Sequence, residues 1–314
     1  MQSVQTYTKE RRRTNLLRRM GRCWQLYLLL LLPMAYLIIF KYIPMAGVQI
    51  AFRKFSIRKG IWGSPWVGLD YFKRFFGTYM FGRVLKNTLI LSAYSIFAGF
   101  PMPILFALCL NVMRCKAFKK TAQMITYAPH FISTTVLVGM LMSLLNSRTG
   151  MYGTLCNRLF GSYPPDLFGI GKAFKHLYVW SGIWQEMGWG AIIYIAALSG
   201  VDVQLHEAAQ IDGAGRLKRV IHIDLPCILP TAAIMLIMRA GSVMSVGFEK
   251  VYLMQNSVNL AYSEIISTYV YKVGMQDSDF SYSTAIGLFN SVVNLALLVV
   301  VNTITKKLGE TSLF

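Results

Sequence analysis

Long apolar runs set the terms for this chain. Trp24 to Ile43 reads WQLYLLLLLPMAYLIIFKYI, about 20 residues that would cover roughly 30 Å as a helix, the hydrocarbon thickness of a bilayer. No small-x-small cleavage site follows it, since the chain continues Lys41-Tyr42-Ile43-Pro44, so the run is expected to stay as a first span. Five further windows share its character, at 88–112, 121–145, 177–199, 226–247 and 284–304. Only 14% of the residues are charged against 55% hydrophobic, and the mean hydropathy is +0.47; a soluble surface could not be covered with so few charges. The expected fold class is all-α, a polytopic membrane protein with six transmembrane helices. Pro101, Pro103 and Pro129 fall inside these spans, where kinks are tolerated because neighbouring helices re-satisfy the freed carbonyls, while Pro226 and Pro230 are expected to mark where the chain re-enters the membrane, Pro being tolerated in a first helical turn.

A net charge of +19 would suggest nucleic acid in a soluble protein, but no recognition module accompanies it, and its distribution matters more. Lys9, Arg11, Arg12, Arg13, Arg18, Arg19 and Arg22 stand before the first apolar run against Glu10 alone. Such a cluster holds a terminus in the cytosol. The basic loops 113–120 and 200–225 and the tail with Lys306 and Lys307 then also face the cytosol, whereas 251–282 carries Glu264, Asp277 and Asp279 outside. The expected organisation is a basic cytosolic segment 1–23, a first span 24–43, an extracytoplasmic loop 44–87, a five-helix core 88–305 with a cytosolic loop at 200–225, and a cytosolic tail 306–314. Loop 44–87 breaks the charge rule, with Arg53, Lys54, Arg58, Lys59, Lys73, Arg74, Arg83 and Lys86 against Asp70. Two readings stand: a tolerated outer surface, or a basic face that meets an acidic partner or an anionic solute.

Catalytic and metal chemistry find no footing. Five cysteines, an odd number without a Cys-x-x-Cys pair, indicate neither a disulfide framework nor zinc. His206-Glu207-Ala208-Ala209-Gln210 has Gln210 where a zinc helix needs its second histidine, and Gly169-Ile170-Gly171-Lys172 lacks the earlier glycine of a phosphate loop. Ser245 lacks the preceding glycine of a nucleophile elbow. Intramembrane polar residues say more, because each charge costs about 2.5–3.5 kcal/mol at mid-membrane and must face the bundle interior or a wet cavity. Glu186 lies in the fourth span and Arg239 in the fifth; they either line a solute pathway or pair structurally. Gln185 and Trp189 join Glu186, and Tyr127 and His130 flank Pro129. Aromatic faces beside amides and carboxylates suit sugars, while core packing and interfacial anchoring are the competing readings.

The polar stretch EAAQIDGAGRLKRVIHIDLP, Glu207 to Pro226, interrupts the apolar runs. Asp202 can cap a short helix through Ile211, Gly213 and Gly215 permit a sharp turn, and Leu217, Val220 and Ile221 give a second short helix an apolar stripe. A bent knob of this kind suits a groove on another protein. Glu207-Ala208-Ala209, Asp212-Gly213-Ala214 and Ile223-x-Leu225-Pro226 resemble, element for element, the EAA loop of binding-protein-dependent ATP-binding-cassette importer permeases. Residues 42–52, with Gly63-Ser64-Pro65-Trp66-Val67-Gly68, Ala128-Pro129-His130-Phe131-Ile132-Ser133, Gly247-Phe248-Glu249, Thr268-Tyr269-Val270-Tyr271 and Thr284 to Phe289, resemble the oligosaccharide branch, similar to the larger maltose-importer permease subunit but without its extra spans and periplasmic insertion.

The resemblance implies a type I importer permease in a bacterial cell membrane with both termini cytosolic. It implies a second, non-identical permease, two ATPase subunits that use ATP and Mg, and an extracytoplasmic solute-binding protein. This chain would bind no cofactor itself. Glu207, Ala208, Ala209, Asp212, Gly213, Ala214 and Arg216 would couple it to the ATPase. The cargo would be an oligosaccharide, and the basic loop suggests an acidic one such as a uronate oligomer. A permease for another small solute, such as amino acids, is an alternative. An integral-membrane enzyme acting on lipid or glycan is a third, needing a catalytic cluster the sequence lacks.

Overall fold

The computed structural model describes residues 24–241, 243, 244 and 247–307. The basic segment 1–23, Ser245 and residues 308–314 lie outside them. Among the described residues structure is nearly all helical, the extended pairings being the isolated bridges Arg53–Trp66 and Ser56–Gly60. The chain divides into two compact units, one ending at Gly68 and one starting at Leu69.

In the first unit, α1 (Trp24–Leu37) runs on through further helical turns to Phe52, 29 residues in all. Nothing from Trp24 to Met45 is buried within the chain, as expected of a helix whose apolar girth needs lipid or another protein. The following loop is folded around Arg53. Its guanidinium donates to the Ser64 carbonyl at 2.9 Å and lies 5.9 and 5.6 Å from the Trp62 and Trp66 ring centroids. One base of the anomalous loop therefore has a structural task.

The second unit opens with α2 (Asp70–Gly77), α3 (Tyr79–Gly99) and α4 (Pro101–Val112). Phe100 keeps helical dihedrals and bonds back to Ile96, so Pro101 starts a new turn without breaking the rod, and 34 residues run from Tyr79 to Val112. The helix that carries the second apolar window thus begins at Tyr79, before residue 88. Next come α5 (Lys116–Tyr127) and α6 (Thr134–Leu144), bent by 103°. The single span expected over 121–145 is therefore two half-length helices. Pro129 tightens Ala128–Phe131 into a 3₁₀ turn, Ile132 is extended, and the Ser133 hydroxyl caps α6 by accepting from the Val136 N–H.

After α7 (Met151–Phe160) come α8 (Phe174–Ser199) and α9 (Val203–Ile211), bent by 73°. Then follow α10 (Arg216–Arg219), α11 (Leu225–Ala240), α12 (Phe248–Met254), α13 (Ile266–Tyr271) and α14 (Phe280–Lys307). A π-turn at Val220–Asp224 fuses α10 to α11 in one 25-residue helix. The second helix of the polar knob is thus the first turn of the fifth span, and Pro226 sits inside that helix instead of marking a fresh start. Among the described residues, four helices are long and apolar enough to cross a membrane, or six if each bent pair counts as one span.

α8 runs through the centre against α3, α4, α5 and α11. Among the described residues, buried side chains form three groups: one around Phe75, Val84 and Tyr282, one around Leu91, Phe174 and Val251, and one joining Ala107, Leu198 and Ile228. The α8–α5 crossing depends on Gly188, where an added Cβ would stand 2.2 Å from the Thr126 carbonyl oxygen; small residues let membrane helices approach this closely. Gly188→Ala is expected to destabilise the fold by about 1–3 kcal/mol, read as a lower unfolding temperature in detergent. An unchanged temperature would show that α5 gives way freely.

Candidate functional site

A cavity of about 410 Å³ opens where α3, α4, α8, α11 and α12 converge. Gln185 and Glu186 face it from α8 and Arg239 from the end of α11, with Glu249 and Lys250 from α12. The break between α5 and α6 frees the carbonyl of Ile132, which accepts from Gln185 Nε2 at 2.9 Å. His130, placed by the 3₁₀ turn, puts Nδ1 3.0 Å from Glu186 Oε2 and stacks on Trp189 at 4.4 Å between centroids, with ring planes 3° apart. Phe131 meets the same indole edge-on. The structure therefore gathers Gln185, Glu186 and Arg239 on one cavity and sets His130 and Trp189 beside it through Glu186. Tyr127 is not among them; its hydroxyl pairs with Gln123 one turn earlier on α5.

Lys250 and Glu249 were not legible as site residues. They belong to a short helix between the fifth and sixth spans, and only the fold turns it back onto α8 and α6. Lys250 is buried, donates from Nζ to the Tyr178 carbonyl at 3.1 Å, and lies 5.0 Å from the Tyr178 ring centroid. Burial pushes its ammonium down to about 8, with the Glu186 carboxylate opposing. Thr135 Oγ1 donates to Glu249 Oε1 at 3.4 Å. Two acids, two bases, an amide and aromatic edges can bind a polar, multiply hydroxylated or charged solute; they form no metal cluster among the described residues.

The polar knob has a definite geometry too. Asp202 caps α9 by accepting from the Gln204 N–H at 2.9 Å. The helix ends at Gly213, whose φ of +76° is the left-handed region that favours glycine. There Gly213 N donates to the Gln210 carbonyl at 3.1 Å and Ala214 N to that of Ala209 at 2.8 Å. Glu207, Ala208, Asp212 and Arg216 are exposed, and Ala209 and Ala214 half-buried. Ile211 is 87% and Leu217 72% exposed, so the tip offers apolar surface with no cover from this chain. An anchor that the sequence did not single out holds the knob. Buried Asp224 Oδ1 accepts from Asn111 Nδ2 on α4 at 3.2 Å and lies 3.2 Å from His206 Nε2 on α9.

Known proteins match this chain over nearly its full length. Residues 75–310 match the family described as binding-protein-dependent transport system inner membrane component. The chain is 44% identical to Protein LplB of Bacillus subtilis (strain 168) over 289 residues, covering 92% of this chain and 91% of that one. It is 42% identical over 306 residues to the polygalacturonan/rhamnogalacturonan transport system permease protein YteP of the same organism, covering 98% and 95%. Among solved structures it is similar, with a TM-score of 0.87 and 35% identity over 94% of this chain and 99% of that one, to a bacterial alginate ABC transporter in complex with an alginate pentasaccharide-bound periplasmic protein. The family match, the near-complete overlap with these permeases and the helical membrane fold make the chain a transporter subunit and not an enzyme: it belongs to the binding-protein-dependent transport system inner membrane components, the permeases of ATP-binding-cassette importers.

Proposed function

We propose that this chain is one half of the translocation path of an importer for acidic oligosaccharides. An extracytoplasmic solute-binding protein delivers the sugar, a second permease completes the path, and two ATPase subunits drive it with ATP and Mg. Both termini face the cytosol, following the basic residues. The observation that carries the cargo assignment is the similarity, over almost the whole chain, to a polygalacturonan/rhamnogalacturonan permease and an alginate transporter. Polygalacturonan and alginate are polymers of uronic acids, and rhamnogalacturonan contains them. Arg239 and Lys250 bring cations to the cavity, while Gln185, Glu186 and Trp189 supply hydrogen-bonding groups and an apolar face beside them. Lys54, Arg58 and Lys59 are exposed in the first unit, and Lys73, Arg83 and Lys86 in the second, so each unit's share of the outer loop carries cations that attract anions. Glu207, Ala208, Ala209, Asp212, Gly213, Ala214 and Arg216 form the handle through which ATPase closure reaches the bundle, which then alternates access around the cavity.

The test is uptake into proteoliposomes holding the assembled importer and its binding protein. Uronate oligomers are expected to enter several-fold faster than neutral oligosaccharides of equal length, with the advantage shrinking as salt screens the basic outer surface. A preference for neutral oligomers that salt does not alter would remove the acidic assignment.

A further inference from the structure

A second cavity, about 280 Å³, lies at the root of the knob, away from the solute cavity. Arg114 after α4, His206 on α9, and Arg216 and Arg219 on α10 line it. Its acid is Asp224, whose Oδ1 is already engaged by Asn111 and His206. Three guanidinium-bearing residues therefore face a single carboxylate, and the lining keeps a net positive charge. Arg219 Nε is buried and has no hydrogen-bond acceptor, and a buried donor left in this state asks for a ligand. The height of the cavity matters as well. Val112 closes the helix that starts at Tyr79, and Arg216 opens the one that ends at Ala240, so the cavity sits where two spans end together. In a bilayer, the polar ends of spans are where headgroups meet the protein. At about 30 Å³ per water the space equals some nine waters, ample for a phosphate and part of its glycerol.

We propose that this cavity binds the phosphodiester headgroup of an anionic phospholipid, such as phosphatidylglycerol. Arginine forks match phosphate oxygens in pairs, and basic pockets between membrane helices take anionic headgroups in this way. The apolar surface available for protein docking is at the tip, on Ile211 and Leu217, and the basic cavity is at the root, so the two can be occupied together.

Native mass spectrometry of the assembled importer tests the assignment. Phosphatidylglycerol should be retained and phosphatidylcholine should not. The Arg114→Gln/Arg219→Gln pair should lower retention at least about tenfold, the size of one or two charge-assisted contacts, and Arg219→Lys, which keeps the charge, should fall between. Retention that survives a large excess of inorganic phosphate supports the lipid as the source. Displacement by phosphate alone would assign the site to a soluble anion and overturn the lipid proposal. Equal retention of the two lipids by the unaltered importer would overturn it, as would a map of the assembly showing an acidic side chain of the ATPase subunit filling the cavity.

Discussion

Uptake by an importer carrying Gly213→Pro is expected to fall about a hundredfold, with the chain inserted and assembled as before. Proline fixes φ near −65° and lacks an N–H, whereas Gly213 holds φ at +76° and donates to the Gln210 carbonyl. Mismatch and lost bond together cost about 3 kcal/mol or more, which is about two orders of magnitude in the population of the native turn. Nothing lies within 4 Å of a Cβ built at Gly213, so the damage stays in the turn and spares the core. Gly213→Ala meets only the left-handed penalty of about 1–2 kcal/mol, and its uptake should fall less. Glu207→Lys, which reverses charge on the exposed face of α9, should impair uptake without touching the fold. Immunoblots of membrane fractions and co-purification with the ATPase report insertion and assembly. Full uptake by Gly213→Pro would remove this loop from the transport cycle.

Lys250→Met is expected to remove uptake of acidic oligomers at least about tenfold, one charged hydrogen bond being worth about 1.5–3 kcal/mol. Uptake of neutral oligomers, where measurable, should change less. The direction with pH is fixed by the depressed pKa. The ammonium is charged below about 8 and neutral above it, so acidic uptake should decline as pH rises from 7 to about 9. Lys250→Arg keeps its charge across that window and should flatten the profile. An unchanged profile in Lys250→Arg would show that another group titrates.

Some of this architecture was written plainly in the sequence. The apolar runs announced the spans, and Glu207, Asp212 and Gly213 at their spacing announced both the turn and the family. Glu186 and Arg239 were found because charges are scarce and costly in a membrane, and both line the cavity. Other features needed the third dimension. Pro129 signalled a break but not one of 103°, which depends on Ile132 being extended before Ser133 caps a new helix. Pro226 looked like a helix start, yet a π-turn absorbs the residues before it. Lys250 and Asp224 sit in short polar stretches with the look of ordinary loop charges. Contacts from α8 to α12, and from α4 and α9 to the base of α11, join residues far apart in the chain, and no local periodicity carries that information.

The unbroken helix from Arg216 to Ala240 carries a mechanical corollary. At 1.5 Å per residue its two ends stand roughly 36 Å apart, one on the knob and the other, at Arg239, on the cavity that Glu186 and Lys250 also line. A continuous element of that kind would act as a pushrod, axial travel applied at one tip reaching the other without a separate relay. Slack belongs to the widened turn at Val220–Asp224 and to Pro230, whose missing N–H leaves one carbonyl of the ladder without its helical donor; these two points would set how much of a stroke is delivered.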